Sequence, residues 1–163
     1  MKGLQELRQA LAEQLRKRGV EAVTAWGPEK RRAPGKAMVV VSLRRAESTP
    51  PGFQGYLGER YDPVKGRWEE LYGKRVELLF GLDVYAESAE EVQAGLDALG
   101  AALEDQGPAG MTAVEVSMGE TAYQSGSRRY VCPVEARFSA WATAVRGEED
   151  SFLDFEVRGE REA

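Results

Sequence analysis

The sequence predicts an α+β domain: a mostly antiparallel β-sheet with two helices packed on it and a long protruding hairpin. Three observations lead to this prediction. Apolar and polar residues alternate over two long stretches, 56–85 and 111–145, as in strands that bury one face. An amphipathic segment with clear start and stop signals lies between these stretches, and a second amphipathic segment opens the chain.

The composition fits one domain and removes several classes of chemistry. With 163 residues, 42% of them hydrophobic, the chain can bury one core but is short for two typical domains. We expect a single domain over 1–158 and a flexible charged tail over 159–163. The sequence has no histidine, which removes Ser-His-Asp and Cys-His catalysis and the commonest zinc ligand. Its one cysteine, Cys132, is expected to be a small buried apolar residue.

Net charge and hydropathy favour some partners over others. The net charge of -5 argues against sequence-specific nucleic-acid binding, since such proteins neutralise phosphates with a concentrated basic face. The sequence shows no apolar stretch as long as a signal peptide core or a membrane span, so we expect a cytosolic protein that does not bind membranes.

The first element predicted is a helix near the start of the chain. Its apolar stripe repeats at steps of three and four residues: Leu4, Leu7, Leu11 and Leu15. Gly19 follows three basic residues and supplies a C-terminal stop signal. A short strand is expected from Val20 to Trp26, followed by a basic loop that contains prolines.

A second strand is expected from Met38 to Leu43. Its apolar run from Met38 to Val41 is continuous, which predicts a central strand covered on both faces. An exposed connection is expected over 45–52, because this segment ends in turn-forming residues.

A long hairpin is predicted next, with arms from Phe53 to Tyr61 and from Trp68 to Tyr85. The turn over 62–67 contains proline and glycine. One face of the second arm is apolar throughout: Val76, Leu78, Phe80, Leu82 and Val84. Leu79 and Gly81 interrupt the polar face, which indicates a contact with something outside the monomer.

The second helix has the clearest boundaries. Ser88 and Glu91 form a capping box at its start, and Gly107-Pro108 is its stop signal. Its predicted stripe consists of Val92, Leu96, Leu99 and Leu103.

The last elements predicted are strands. One places Val114, Val116 and Met118 on one face, and a loop over 119–129 leads to a long strand from Tyr130 to Ala140. Pro133 marks a start, a bulge or an edge position of that strand, because proline cannot donate to a ladder. A short terminal strand contains Leu153, Phe155 and Val157.

Catalytic, cofactor and metal sites are not predicted. Glu69 and Glu70 are neighbours on a strand, so their side chains point to opposite faces and cannot work as an acid and base pair. The acidic run Glu148 to Asp150 lacks the spacing of a calcium loop, and the glycines form no phosphate-binding motif. We expect a protein that is not an enzyme, with a hydrolase that uses carboxylates alone as the enzymatic alternative.

Aromatic and basic residues crowd the predicted hairpin, and these types are enriched at the centres of protein interfaces. The predicted subunit interface consists of Phe53, Tyr56, Arg60, Tyr61, Arg67, Trp68 and Tyr72. Stacking of single-stranded nucleic acid and ordinary core packing are alternative uses of such residues. The acidic net charge favours protein contact over nucleic acid.

The order of the predicted elements resembles that of the tail terminator, or tail completion, proteins of long-tailed bacteriophages. The most similar segments are Lys74 to Ala86 leading into Ser88 to Glu91, and Arg129 to Phe138. This resemblance implies a homo-oligomer, a hexameric ring, that caps the tail tube and joins it to the head. The implied partners are the tail tube protein and the head-tail connector. The implied locations are the host cytoplasm during assembly and the virion tail afterwards.

Two other functions stay open at this point. A tail tube subunit would have a similar two-sheet architecture with a helix and long loops. A small-molecule binding module would hold its ligand between the sheet and the helix that begins after Ser88, and would need an apolar pocket with convergent polar groups.

Overall fold

A computed structural model of the chain describes residues 3–25, 36–48, 55–104, 111–147 and 155–158. Within these ranges it contains two helices and a large, mostly antiparallel sheet, so the predicted α+β class is confirmed. The helices are α1 (Leu4–Lys17) and α2 (Ala89–Leu103). The strands are β1 (Ala22–Val23), β2 (Met38–Ser48), β3 (Tyr56–Asp62), β4 (Arg67–Ala86), β5 (Thr112–Met118), β6 (Ala122–Gln124), β7 (Arg129–Cys132), β8 (Val134–Arg146) and β9 (Glu156–Arg158).

The sheet is built around β4, which is 20 residues long. On one side β4 pairs with β3 along its first part and with β2 along its second part. On its other side it pairs with β8 and then with β7. Strands β5 and β9 pair with the far side of β8, and β6 pairs with the far side of β7. The sheet therefore has β2 and β3 towards one side and β5, β6 and β9 towards the other.

The core lies between the helices and one face of this sheet. Alternating side chains of β4 and β8 are buried on that face, among them Phe80 and Phe138, whose rings pack edge to face at 5.7 Å. The predicted stripes of both helices contribute to the same core, with Leu4 and Leu103 half-buried at its margin. Full burial of one large apolar side chain contributes about 1.5–3 kcal/mol, so this face anchors the fold.

The helix ends follow the predicted signals closely. The Ser88 hydroxyl accepts a hydrogen bond from the Glu91 amide at 3.2 Å. The Glu91 carboxylate accepts a hydrogen bond from the Glu87 amide at 3.3 Å. An ideal capping box would use the amide of Ser88, one residue later. Gly19 has a φ of 85°, as a left-handed residue after a helix should, and thus confirms the predicted end of α1.

Pro133 interrupts one long strand without shifting its register against β4. Val84 lies opposite Cys132 on one side of the proline, and Gly81 lies opposite Glu135 on the other. The Val134 amide donates to Asp83 Oδ1 at 3.2 Å, so a side chain supplies an acceptor where the ladder is broken. The predicted long strand therefore exists as β7 and β8, in line.

Several predicted boundaries are wrong, and strand pairing explains most of the differences. Strand β2 does not end at Leu43 but continues to Ser48, because its last residues pair with β4 as far as Val76. The predicted loop over 119–129 contains β6, which pairs with β7. Strand β1 is only two residues long. At the end of β2 and in β6, cross-strand pairing outweighs local turn propensity.

The central position predicted for β2 holds for only part of its length. Strand β1 pairs with Val39 and Val40, but the outer edge of β2 from Val41 to Ser48 has no strand partner within the described residues. Several predicted features lie outside those residues: Trp26, Phe53, Gly107-Pro108, the acidic run over 148–150, Leu153 and the tail over 159–163.

The predicted hairpin corresponds to β3 and β4, but its second arm is not free. From Glu70 onward, β4 also pairs with β8, so this arm is a central strand of the sheet. Its apolar face is fully buried, as the alternation predicted. That the hairpin protrudes from the domain stays a prediction.

Candidate functional site

The β3–β4 hairpin carries most of the residues predicted to form a subunit interface. Its turn is held by Asp62, whose side chain accepts hydrogen bonds from the amides of Val64 at 2.9 Å and Lys65 at 3.2 Å. The Lys65 amide is the main reason that the pKa of Asp62 is lowered. Gly66 closes the turn with a φ of 64°, which favours glycine. The two arms are therefore joined by a turn with defined hydrogen bonds.

Aromatic side chains form two cross-strand pairs on the side of the hairpin that continues the core face. Tyr61 lies opposite Trp68 with ring centroids 5.5 Å apart, and Tyr56 lies opposite Tyr72 at 5.7 Å. Such edge-to-face pairs contribute about 0.5–1.5 kcal/mol each beyond area burial. Tyr56, Tyr61 and Trp68 nevertheless keep 47%, 53% and 59% of their surface exposed. This is a large aromatic surface for a single hairpin to leave in water.

Glu69 lies on the opposite side of the hairpin and is almost fully buried. Its carboxylate is 3.3 Å from Arg60 Nε and 3.5 Å from both Lys65 Nζ and Arg67 Nε. From the sequence, only the opposite orientation of Glu69 and Glu70 was predicted, and this cluster was missed. The sequence holds only part of the signal: Lys65 precedes Glu69 by four residues, but Arg60 comes to lie opposite Glu69 through the register between β3 and β4.

A recess of about 350 Å³ lies on the aromatic side of the hairpin. Glu59 and Glu70 face each other across the two strands there. The Tyr72 hydroxyl donates to Glu70 at 2.8 Å, and this bond is the main reason that the pKa of Tyr72 is raised. Partial burial, followed by the charges of Glu59 and Glu70, also raises the pKa of Tyr56. The recess thus combines carboxylates with aromatic rings, and Arg146 supplies a cation in its lining.

A second exposed apolar surface lies along β5 and β6, at the opposite edge of the sheet from the hairpin. Val114, Val116 and Met118 are 50%, 38% and 49% exposed, although they alternate like core residues. Tyr123 on β6 is 57% exposed and packs edge to face on Tyr130 at 5.3 Å. Strand β5 pairs with β8 on one edge, and its other edge has no strand partner within the described residues.

The predicted outside contact at Gly81 is wrong, since the chain itself covers this glycine. A Cβ at Gly81 would lie 2.5 Å from Arg44 Nε. Arg44 is held in that position by Asp83 and Glu135, each at 2.9 Å. Leu79, its neighbour on that face, is half-buried.

The space predicted for a small-molecule ligand is closely packed where α2 crosses the sheet. A Cβ at Gly95 would come within 2.5 Å of the Ala37 Cβ and 2.9 Å of Val84 Cγ1. This contact argues against a ligand pocket between α2 and the sheet at that point.

The structure brings the predicted interface residues together on the hairpin, but not on one face. Tyr56, Tyr61 and Trp68 are on the aromatic side, with Tyr72 half-buried between them and the core. Arg60 and Arg67 belong to the Glu69 cluster on the other side.

Comparisons with known proteins assign no family. A scan against protein-family models finds no match, and a search of curated proteins finds none either. Neither described helix combines the length and hydropathy that a membrane span requires. Over the described ranges, histidine, cysteine, aspartate and glutamate do not cluster in a way that could hold a metal ion.

Proposed function

We propose that this chain is a structural tail protein of a long-tailed bacteriophage or prophage. Its role is that of a tail terminator subunit, which assembles into a closed ring on the end of the tail tube and joins the tube to the head. The order of helices and strands supports this proposal through its resemblance to that family. The observation that carries it is the pair of exposed apolar surfaces on opposite sides of one sheet.

These two surfaces differ in composition. The hairpin exposes aromatic rings beside carboxylates, whereas the β5–β6 surface exposes mainly aliphatic side chains. A twofold dimer pairs one patch with itself, but a ring needs two different patches that fit each other. Two unlike patches on opposite sides of a sheet therefore favour head-to-tail assembly over a simple dimer.

The charged groups of the hairpin support a structural role as well. Glu69 is enclosed by three cationic side chains, and Glu70 holds the Tyr72 hydroxyl. Groups held in this way stabilise a surface, whereas a general acid or base has to reach a substrate proton.

The tail tube subunit is the second candidate, because the same two surfaces would also serve a filament. Rings and filaments use the same kind of contact and differ in whether the rotation between copies closes. The two functions can be separated by the size of the assembly.

The test is to purify the chain and measure its mass by light scattering after size-exclusion chromatography, alone and with tail tube protein. Negative-stain microscopy then shows the shape of the particles. We expect closed rings of uniform size that bind one end of the tube. Filaments of unlimited length would favour the tube subunit. A monomer that neither self-associates nor binds tube protein would contradict both candidates.

A further inference from the structure

We propose that neighbouring copies of this chain associate by pairing the outer edge of β3 in one copy with the outer edge of β5 in the next. The sheet would thereby continue across the subunit boundary. The inference rests on the proposed function, which requires self-association but leaves open which strands meet.

The backbone of both strands has groups available for such pairing. Strand β3 forms its ladder with β4 alone, and β5 forms its ladder with β8 alone, within the described residues. Both strands are seven residues long. Each has a bulge near its start, between Tyr56 and Gly58 in β3 and between Ala113 and Glu115 in β5, so the remaining residues keep a regular register. An unpaired regular edge is a template for a further strand.

The side chains on the helix side of the two strands fit each other. Because a continued sheet keeps its faces, residues on one face of β3 would lie next to residues on the same face of β5. On β3 that face holds Tyr61, which packs on Trp68, together with Glu59. On β5 the corresponding face holds Val116 and Met118, which lie opposite Ala136 and Val134 of the buried β8 face. Pairing the two edges would cover aromatic surface with aliphatic surface, which is a favourable cross-strand combination.

The charges on the other face are complementary. Around the hairpin three cations lie with two carboxylates: Arg60, Lys65 and Arg67 with Asp62 and Glu69. On β5 and its neighbour β8 two carboxylates lie with one cation: Glu115 and Glu135 with Arg137. The hairpin side therefore has one surplus positive charge, and the β5 side has one surplus negative charge. Two surfaces with the same sign of charge would repel each other. The opposite surplus charges of the hairpin side and the β5 side attract a second copy.

The outer edge of β2 is the competing partner for β5, and its side chains make it a poorer one. From Val41 to Ser48 this edge has no strand partner within the described residues. It carries Arg44, Arg45 and Glu47, and a register shift occurs between Leu43 and Arg45. Charged residues and a bulge in the middle of an edge strand are features that discourage pairing. Strand β3 also carries charges, at Glu59, Arg60 and Asp62, but its bulge lies at its start and it exposes Tyr56 and Tyr61.

Cysteine cross-linking tests the choice of edge. The double variant Glu59→Cys/Met118→Cys places one thiol on β3 and a second thiol on β5. Both positions are exposed and lie on the helix side of their strands. The matched control, Ala46→Cys/Met118→Cys, moves the first thiol to an exposed helix-side position of β2. A flexible bismaleimide is added to each assembled protein, and the products are separated on a denaturing gel. Single-cysteine variants and the native chain, in which Cys132 is buried, give the background.

We expect a ladder of covalent multimers from the β3–β5 pair and none from the β2–β5 pair. A ladder from the control pair alone would overturn the inference. Assembly seen by light scattering without any cross-link from the β3–β5 pair would also overturn it, while leaving the proposed function intact. Failure of the native chain to assemble, with or without tube protein, would contradict the proposed function and this inference together.

Discussion

At the scale of single residues, Glu69 connects the three parts of the hairpin. Its ion-pair partners come from β3, from the turn and from β4 itself, and only 1% of the Glu69 surface is exposed. A buried carboxylate is costly unless cations and hydrogen bonds surround it. Its partners are about a third to a half exposed, so water screens part of each attraction. The cluster therefore fixes the hairpin geometry more than it adds to global stability.

Replacing the carboxylate while keeping its shape should loosen this hairpin. We expect Glu69→Gln to lower the free energy of unfolding by about 1–2 kcal/mol, because three cations lose their shared partner but can still reach water. Urea denaturation followed by circular dichroism measures the loss. Glu59→Gln is the control: Glu59 faces the like charge of Glu70, so its removal should cost nothing. Equal losses from both variants would contradict the role given to Glu69.

The Tyr72 hydroxyl supplies a prediction about pH. Its bond to Glu70 requires a proton on Tyr72, and this raises the folded-state pKa above that of a free tyrosine. The stabilisation from this bond is complete below the unfolded pKa and is lost as the pH rises through the folded pKa. In a titration of phenolate absorbance, Tyr72→Phe should remove a late-titrating group, and Glu70→Gln should shift that group towards lower pH. A Tyr72 signal that does not move in Glu70→Gln would refute this explanation.

At the scale of secondary-structure elements, α2 contains two glycines whose surroundings differ: one is packed against the sheet and the other has open space beside it. Gly95 faces the sheet, where an added Cβ would meet Ala37 and Val84. A Cβ at Gly100, five residues later in the same helix, would meet nothing within 4 Å. The close approach of α2 to β4 therefore depends on Gly95 and not on Gly100.

These two glycines give a matched pair of substitutions with opposite signs. Gly100→Ala should stabilise the protein by about 0.5–1 kcal/mol, because alanine has a higher helix propensity than glycine and lowers the conformational entropy of the unfolded chain. Gly95→Ala should destabilise it by about 1–3 kcal/mol, because the helix must move away from the sheet. Thermal or urea unfolding distinguishes them. Two changes of the same sign would mean that α2 does not pack on the sheet as described.

At the scale of the whole molecule, the arrangement of exposed surfaces matters more than any single contact. The sheet has the hairpin on one side of β4 and the β5–β6 surface on the other, beyond β8 and β7. The helices cover the face between them. Exposed apolar surfaces of this size are typical of contacts with other molecules, which is why the proposed function is an assembly.

Charging the β5 surface should prevent that assembly without unfolding the subunit. We expect Val116→Lys/Met118→Lys to weaken self-association at least about tenfold, because two ammonium groups would have to be buried in an apolar contact. Far-ultraviolet circular dichroism should be unchanged, since both native side chains are partly exposed. Val64→Lys, at the hairpin turn where the native side chain is 93% exposed, should assemble normally. Normal assembly of the double lysine variant would exclude β5 from the interface.

Local patterns predicted much of the fold because they report which side of an element is buried. The α1 stripe, the Ser88 cap and the apolar face of β4 are all found as predicted. The predictions that failed depended on pairing between distant segments. The end of β2 was wrong because Arg45 to Ser48 pair with β4, and β6 was missed because its pairing with β7 spans a turn.

The candidate site was predicted in part. Residue types identified the hairpin as a surface rich in aromatic and basic groups, and Tyr56, Tyr61 and Trp68 are exposed there. The division into an aromatic side and a Glu69 cluster was not predicted, because it depends on the register between β3 and β4. The exposure of the β5 stripe was not predicted either, since alternation is the same whether the apolar face meets the core or water.

Local sequence patterns are enough to predict the α+β class, the helix boundaries at Gly19 and Ser88, and the buried face of β4, because each depends on neighbours a few residues apart. Which apolar faces are covered and which carboxylate is enclosed follows only from the folded chain, because burial depends on which segments pair across the sheet. Val116 and Val76 alternate in the same way along their strands, yet Val76 is fully buried and Val116 is 38% exposed.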